Sequence, residues 1–415
     1  MSPPARVGVV VGTRPEAVKL APVVWALEAH PDLTPVVIST GQHRELLVPV
    51  LTDLGLVPDH ELATMGQSDD LAALTARLVA AIGSLFQQVQ LDSVVVQGDT
   101  TTAVCAALAA FYACLPVAHV EAGLRSGNLR DPFPEELNRK VIDITARWHF
   151  APTALAAGRL AAEGVSPTSV FTVGNTVIDT LAWARRERRG TSAFSRGSKT
   201  RSRVLVTLHR RETQGARMAA LGEAIAEIAV TRDTEVVLPL HKSPSVRDAL
   251  VPALAGRSHV VLCEPLGYLD FVATLSEADL LLTDSGGVLE EAAWLGIPAL
   301  VCREATERPE AIEAGTARLV GTDPWRVFQE TVGLLDDAVT RAAMSAAPCP
   351  FGDGHAATRI ATRLAHSARP PGLAPRGDLA SAPAGDGHGP GDGAELWPRG
   401  PSDQGRGLLR DAAEQ

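Results

Sequence analysis

One stretch, residues 280–309, constrains the fold of this chain more than any other. An apolar strand ends at Thr283 and is followed by a polar-glycine turn, DSGG at 284–287. The spacing of the apolar residues then predicts a helix over 288–295 and a second apolar strand over 299–301. A strand, a helix and a strand in this order form a βαβ unit, so we expect a parallel sheet covered by helices.

The turn in this unit has the composition of an anion site. Gly286 and Gly287 leave backbone N–H groups bare at the start of the helix, where the helix dipole favours negative charge. Glu291 lies one helical turn later and can accept hydrogen bonds from ribose hydroxyls, while Arg308 carries a fork suited to a diphosphate. With Ser285, these residues predict a nucleotide-diphosphate site. An ordinary strand-to-helix turn, with glycines for tight packing, is the alternative.

Composition narrows the function classes. At 415 residues the chain is long enough for two domains, and 46% hydrophobic with only 4% aromatic residues suits parallel sheets rich in Ala, Val and Leu. The net charge of −10 argues against a nucleic-acid partner, and we expect neither a signal peptide nor a membrane span. No metal site is expected, because the cysteines lack zinc-ligand spacing, and reduced thiols fit a cytoplasmic location. The cysteines are Cys105, Cys114, Cys263, Cys302 and Cys349.

Charged residues follow several predicted strands directly. Strands alternate with helices along the chain, which predicts an α/β fold with doubly wound parallel sheets. In such sheets ligands bind outside the carboxyl ends of the strands. Arg14, Asp99 and Glu121 lie in three separate strand-end loops of the first half, so we expect them to meet at one edge.

The predicted elements fall into two series. The first, 1–184, and the second, 203–350, each resemble a nucleotide-binding α/β domain. Between them, 185–202 is rich in Arg, Ser, Gly and Thr without an apolar period, which predicts a linker. Residues 367–415 are rich in Pro, Gly, Ala and Asp and are predicted to be disordered. A cleft between the two series is the expected site.

Three carboxylates in the first half predict acid–base chemistry. Asp99, Glu121 and Glu135 are expected to lie close enough to push their pKa values apart, so that one holds a proton near neutral pH. The alternatives are a helix N-cap for Asp99 and a first-turn acid for Glu135. His209 is expected to face phosphate, with a structural histidine as the alternative. Lys19 is either part of the site or solvated.

Ten motifs together resemble the non-hydrolysing UDP-N-acetylglucosamine 2-epimerases, in the family's order and over about residues 7–365. They are GTRPEAVKLAPVV (12–24), TGQHREL (40–46), VQGDTTT (96–102), HVEAGLRSGN (119–128), PFPEELNR (132–139), HFAPT (149–153), VGNTVID (173–179), TLHRRE (207–212), TDSGGVLEEA (283–292) and TERPEAIEAGT (306–316).

The resemblance implies a glycosyltransferase-B-like fold. Two Rossmann-like domains would enclose the active site, and a last helix, 355–366, would return to the first domain. The family interconverts UDP-GlcNAc and UDP-ManNAc by anti elimination of UDP, which gives 2-acetamidoglucal, and by re-addition after protonation on the other face of C2. No cofactor is implied, because the reaction has no net redox change. A homodimer is expected, with cell-envelope polysaccharide synthesis as the outlet.

The resemblance also assigns roles. Asp99, Glu121 and Glu135 match the family's acid–base carboxylates, and which of them takes the C2 proton stays open. His209 and Arg14 would stabilise the departing UDP. The family's diphosphate loop matches Ser285, Gly286 and Gly287. Its ribose acceptor matches Glu291, a nucleotide contact matches Arg308, and an active-site lysine matches Lys19.

Some family members bind a second UDP-GlcNAc as an activator. Residues resembling that site are Gln42, His43, Glu136 and His241. The chain departs from the family nearby, with Leu289 where Gln is usual, and with Thr213 and Ser243 near positions where Asn is usual. These departures leave the sugar preference open.

Other functions are compatible with the same nucleotide site. They are epimerisation of another UDP-2-acetamido sugar, a glycosyltransferase of the same fold, and a UDP-sugar sensor without turnover. The cluster of three carboxylates favours the epimerase, because sugar transfer does not need all of them.

Overall fold

The computed structural model describes residues 3–42, 44–64, 70–187, 189–195, 201–210 and 215–367. The chain divides into two compact units, Met1–Arg369 and Pro370–Gln415, and the second unit lies outside the described residues. So does the predicted disordered segment, apart from Ser367. Because both sheets belong to the first unit, the division into two domains at 184 and 203 stays a prediction.

The first sheet has seven parallel strands within the described residues, in the order β3-β2-β1-β4-β5-β6-β7. The strands are β1 (Ala5–Val11), β2 (Leu33–Ser39), β3 (His60–Glu61), β4 (Ser93–Gln97), β5 (Val117–Val120), β6 (Trp148–Ala151) and β7 (Val170–Thr172). Its helices are α1 (Arg14–Glu28), α2 (Arg44–Asp53), α3 (Leu71–Gln88), α4 (Thr101–Tyr112), α5 (Glu135–Thr145), α6 (Ala154–Ala162) and α7 (Thr176–Arg186), with a 3₁₀ turn at Pro167–Ser169.

The second sheet has six parallel strands within the described residues, in the order β10-β9-β8-β11-β12-β13. They are β8 (Arg203–Thr207), β9 (Glu235–Pro239), β10 (Val260–Cys263), β11 (Leu280–Thr283), β12 (Ala299–Val301) and β13 (Ala317–Leu319). The helices are α8 (Ala216–Thr231), α9 (Pro244–Leu254), α10 (Tyr268–Ser276), α11 (Val288–Leu295), α12 (Pro309–Glu313), α13 (Pro324–Asp336), α14 (Ala338–Ala346) and α15 (Ala356–Ser367). The predicted α/β class with two Rossmann-like sheets is confirmed.

A single hydrophobic cluster joins the two sheets. It contains Val9 of β1, Leu281 of β11 and Leu289 of α11, all buried. The last helix, α15, packs on α1 and α7, and its first N–H groups are held by the Asp179 carboxylate at 2.9 and 3.2 Å. A helix that follows the second sheet along the chain is therefore part of the first sheet's outer layer.

The segment predicted as a linker, 185–202, is more ordered than its composition indicates where the structure describes it. Helix α7 continues to Arg186, two residues into this segment. Further on, the Thr191 N–H donates to Asp270 of α10 at 2.6 Å, and Phe194 is buried. The sequence does not reveal this order, because backbone N–H groups of the segment donate to side chains elsewhere, and such contacts need no apolar period.

One helix departs from the expectation that nothing resembles a membrane span. Among the described residues, α3 is 18 residues long and apolar enough to cross a membrane by length and composition. Its buried side chains, including Leu78, Ile82 and Phe86, pack in a hydrophobic cluster with residues of α4. A core helix has the same length and composition, so this feature alone is weak evidence for a membrane.

Candidate active site

The two sheets meet at the carboxyl ends of their central strands. Arg14, the first residue of α1, donates to the Leu266 carbonyl at 3.4 Å, and the Asn175 amide donates to Glu290 at 2.6 Å. Each contact joins an element of the first sheet to one of the second. The cleft between the sheets is therefore where the predicted site residues can meet.

Glu121, directly after β5, accepts several hydrogen bonds in this cleft. The Lys19 ammonium lies 2.6 and 2.7 Å from its two oxygens, and the Gln97 amide donates to it as well. Its backbone lies in the left-handed region, with φ of 66°. That conformation costs a non-glycine residue about 1 kcal/mol or more and occurs at functional sites whose surroundings enforce it. Lys19 is 15% exposed and pairs with the carboxylate rather than with solvent alone.

A second set of partners surrounds Glu121, with one residue from each sheet. The Arg308 guanidinium lies 3.4 Å from Glu121 and 2.5 Å from Glu290, and the Asn175 amide donates to both carboxylates. Burial alone would raise the pKa of Glu121, but Lys19 and Arg308 outweigh it and lower that pKa to about 2. Glu121 is thus ionised at neutral pH, so it is not the carboxylate that holds a proton there.

Asp99, in the loop after β4, is fixed by α5. Arg139 contacts Asp99 Oδ2 through Nε at 2.8 Å and through Nη2 at 2.6 Å, and the Asn138 amide donates to the Asp99 carbonyl. The N-cap of α4 is Thr100, whose hydroxyl accepts from the Ala103 N–H. The alternative of a helix cap for Asp99 is therefore wrong, and its side chain, 25% exposed, remains accessible to a ligand.

The two acids that begin α5 differ in their surroundings. Glu136 is fully buried and accepts from the backbone N–H groups of Ser126 and Gly127 and from Arg139. It therefore positions the loop after β5, with both oxygens engaged. Glu135 has one buried oxygen without a hydrogen-bond partner among the described residues. Since a buried carboxylate oxygen without a partner is costly, this oxygen is available for a ligand.

A third buried acid, Glu16, joins two strand-end loops. Its carboxylate accepts from the N–H groups of Gly12 and Thr13 at 2.9 and 2.7 Å, and from the Thr100 hydroxyl at 2.5 Å. Burial raises the pKa of Glu16 to about 7, although these hydrogen bonds oppose the shift. Through Glu16, the turn that carries Arg14 is tied to the loop that carries Asp99.

We expect Glu16→Gln to change how stability depends on pH. Because the Glu16 pKa rises from 4.5 to about 7 on folding, its contribution is fully present below pH 4.5 and is lost as the pH rises through 7. The amide keeps an acceptor for the two N–H groups and does not ionise. The free energy of unfolding of the variant, relative to that of wild type, should therefore increase by about 3 kcal/mol as the pH rises from 5 to 8, measured by urea unfolding. Glu28→Gln, at the exposed end of α1, serves as control and should gain nothing.

The second sheet contributes two stacked histidines. The N–H groups of His209 and Arg210 each donate to buried Asp284 at 2.8 Å, and His209 Nδ1 lies 3.1 Å from the same carboxylate. The His241 ring stacks on His209 with centroids 5.5 Å apart. Partial burial and His209 lower the pKa of His241. Asp284 thus fixes the His209 ring by its Nδ1 edge at the end of β8.

The polar-glycine turn leaves the start of α11 without a side-chain cap. The Ser285 N–H donates to Thr283 at 2.9 Å, and Gly287, the N-cap of α11, is exposed and provides no side-chain cap. Glu291 is buried in the first turn of α11, where burial and the charge of Glu290 raise its pKa to about 7. Among the described residues, no group of His, Cys, Asp and Glu could hold a metal ion.

Comparisons with known proteins match this architecture. A family model described as UDP-N-acetylglucosamine 2-epimerase matches residues 25–365. The chain belongs to this family. It is 43% identical to the UDP-N-acetylglucosamine 2-epimerase of Escherichia coli K12 over 364 residues, which cover 86% of this chain and 97% of that one. The Bacillus subtilis enzyme of the same name is 42% identical, with 86% and 94% covered.

Solved structures agree with the family. The Neisseria meningitidis UDP-GlcNAc 2-epimerase bound to UDP-GlcNAc has a TM-score of 0.82 at 37% identity, with 87% of this chain and 100% of that chain covered. A glycotransferase of kitacinnamycin matches at 14% identity with a TM-score of 0.61 and shows the fold alone. The predicted glycosyltransferase-B-like fold and the predicted family are thus confirmed.

The structure describes three of the four residues predicted for an activator site. Gln42 is buried and accepts from the Thr102 hydroxyl at 2.6 Å, Glu136 is engaged as described, and His241 stacks on His209. The fourth, His43, lies outside the described residues. An activator site therefore stays a prediction.

The departures from the family pattern have different surroundings. Leu289 is buried in the hydrophobic cluster that joins the sheets, so its side chain does not reach a ligand directly. Ser243, the half-buried N-cap of α9, contacts Ser245 through its hydroxyl at 2.8 Å. Thr213 lies outside the described residues.

Sequence reasoning missed three residues of this epimerase-family site. They are Glu16, Asn175 and Glu290. Glu16 and Asn175 have a local signal, since a Thr three residues before Glu16 forms a capping box and Asn175 is an N-cap residue before a helix. Glu290 has none, because the adjacent Glu291 is equally acidic and only the helix rotation tells the two apart.

Proposed function

We propose that this chain interconverts UDP-GlcNAc and UDP-ManNAc by elimination and re-addition of UDP. A carboxylate removes the C2 proton while UDP leaves C1 from the opposite face, which gives 2-acetamidoglucal. UDP then adds back to C1 as C2 receives a proton on its other face. No electrons are exchanged with a cofactor, so atoms and charge balance within the substrate and the enzyme.

The observation that carries this proposal is the placement of fixed carboxylates and of groups suited to a diphosphate on opposite sides of the cleft. Two carboxylates on the first sheet, Asp99 and Glu121, are fixed by Arg139 and Lys19, and Asp99 can accept a proton. The second sheet supplies the imidazole and N–H groups that suit a departing diphosphate, with His209 and the DSGG turn before α11. Elimination of UDP needs both kinds of group at once.

The remaining roles complete the proposal. Glu291 accepts from the ribose, Arg14 contacts the nucleotide, and Glu135 assists proton transfer with its available oxygen. Arg308, whose guanidinium is engaged by Glu290 and Glu121, acts through Glu121. The low pKa of Glu121 favours a role as a permanent anion near the reacting carbons, with Asp99 as the residue that takes the proton.

Proton NMR of UDP-GlcNAc with the purified protein in deuterated water tests the function. We expect UDP-ManNAc with deuterium at C2, because the proton removed exchanges with solvent. Free UDP with acetamidoglucal would show elimination without efficient re-addition. Binding of UDP-GlcNAc without any change in the sugar would refute the assignment and favour another UDP-2-acetamido sugar, a transferase or a sensor.

We also propose that the enzyme is a cytoplasmic homodimer that supplies cell-envelope polysaccharide synthesis. Large apolar side chains are exposed on the neighbouring helices α4 and α5, among them Phe111, Tyr112, Leu137 and Ile144. A face of this kind fits a second copy of the chain. Light scattering should give twice the mass of one chain, and Ile144→Asp should reduce it to a single chain.

A further inference from the structure

Four buried side chains form a closed ring of contacts across the cleft. Glu121 contacts Asn175 at 3.0 Å, Asn175 contacts Glu290 at 2.6 Å, Glu290 contacts Arg308 at 2.5 Å, and Arg308 returns to Glu121 at 3.4 Å. Each of the four residues is less than 10% exposed. Water therefore contributes little to these contacts, and the members must satisfy one another.

The ring consists of two halves that belong to different sheets. Glu121 follows β5 and Asn175 caps α7, whereas Glu290 lies in α11 and Arg308 precedes α12. Two contacts cross the cleft, one from Asn175 to Glu290 and one from Arg308 to Glu121. If the sheets separated, Glu121 would keep Lys19 and lose Arg308, so its surroundings depend on closure of the cleft.

The orientation of Asn175 is determined by its helix. Its side-chain oxygen accepts from the Val177 N–H at 3.2 Å as the N-cap of α7, which leaves the amide nitrogen to face the carboxylates. That nitrogen has two hydrogens, and the structure places one acceptor for each, on Glu121 and on Glu290. Glu290 thus holds both Arg308 and Asn175 in place, one with each oxygen.

We propose that Glu290 is a positioning residue for the epimerisation, which holds Arg308 and Asn175 around Glu121 and so completes the site of Glu121 only when the two sheets are together. The inference rests on the proposed function for its catalytic consequence. Glu290 does not contact the substrate in this proposal. It acts on the reacting carbons through the orientation of Glu121.

Glu290→Ala in the full-length protein tests the inference. We expect kcat for UDP-GlcNAc to fall by at least about tenfold, because small displacements of a catalytic group have effects of this size. The Kd for UDP, measured by calorimetry, should stay within about threefold of wild type. Amide hydrogen exchange at the start of α7 should become faster, because Asn175 loses a partner. Glu290→Gln keeps one acceptor oxygen, so its kcat should lie between those of wild type and Glu290→Ala.

The matched control is Glu235→Gln. Glu235 is also a buried carboxylate beside an arginine, Arg203, but it begins β9 and so lies at the opposite end of the strands. We expect no change in kcat or in exchange at α7. This variant shows whether loss of any buried charge in the second sheet has the same effect.

The possible outcomes separate the inference from the proposed function. A kcat within threefold of wild type for Glu290→Ala, or a UDP affinity that falls in parallel with kcat, would overturn the positioning role. Were wild type itself inactive on UDP-GlcNAc, the proposed function would fail, and exchange at α7 would still decide the inference. Unchanged exchange would then overturn it, and faster exchange would support it. If Glu290→Ala does not fold, Glu290→Gln provides the same comparison.

Discussion

Asp99→Asn is expected to lower kcat for UDP-GlcNAc by about 1000-fold or more while the protein still binds UDP. The amide cannot accept a proton from C2, and general acid–base catalysis is typically worth about 10²- to 10⁴-fold. The substitution keeps the size of the side chain, and its oxygen can still accept from Arg139, which holds Asp99 Oδ2 at 2.6 and 2.8 Å. UDP contacts are proposed to lie mainly on the second sheet, so affinity should be unaffected.

Calorimetry with UDP and the NMR assay in deuterated water measure the two effects separately. Asp323→Asn is the control, because Asp323 is the N-cap of α13 and asparagine caps helices equally well. A variant Asp99→Asn that retains more than a tenth of wild-type kcat would show that Asp99 does not take the proton. Glu121 or Glu135 would then be the candidates, and Glu135→Gln would be the next comparison.

The order of elements follows closely from the sequence, because long apolar strands and helices have clear periods. Short elements do not. Strand β3, His60–Glu61, has only two residues, too few for alternation to be recognised, and it exists because β2 offers it a partner. The segment around Thr191 shows the reverse, since its polar composition predicts a linker but α10 fixes its backbone. In both cases a tertiary partner, absent from the local sequence, decides the structure.

The grouping of the strand-end residues of the site was predictable from one rule about parallel sheets. The carboxyl ends of parallel strands share an edge, which places Asp99 and Glu121 together without knowledge of their contacts. The identity of their partners was not predictable in the same way. Glu290 and Asn175 are separated by 115 residues and lie on different sheets. Their contact depends on how the two sheets are oriented, and no periodicity within either sheet encodes that orientation.

Lys19→Met is expected to destabilise the protein at neutral pH and much less at acidic pH. In wild type the Glu121 pKa falls from 4.5 to about 2 on folding, so the ionised carboxylate contributes stability above pH 4.5 that is lost as the pH falls toward 2. This difference corresponds to about 3 kcal/mol. Removing the nearest cation leaves a buried carboxylate with Arg308 as its remaining cation, and breaking such a pair is strongly destabilising.

The pH dependence distinguishes this cause from a simple loss of packing. In the variant, burial of Glu121 is opposed by fewer cations, so its folded pKa should rise and protonation should stabilise the folded state. The difference in unfolding free energy between wild type and Lys19→Met should thus be about 3 kcal/mol at pH 7.5 and smaller at pH 5, measured by urea unfolding. Glu16 is present in both proteins, so its raised pKa cancels in the comparison. Lys19 lowers the pKa of Glu291, so that pKa should rise further in the variant and add to the loss of stability at neutral pH.

Lys140→Met is the matched control for a lysine that pairs with a carboxylate. Lys140 contacts Glu163 at 2.5 Å, but both side chains are about a third exposed, and such surface pairs contribute about 0–1 kcal/mol. An equal loss at both pH values for Lys19→Met would show that altered packing around residue 19, rather than the loss of the charge, destabilises the protein. A loss confined to neutral pH means that Lys19 keeps Glu121 ionised. Because burial alone would protonate that carboxylate, the same ion pair would then support both folding and the reaction.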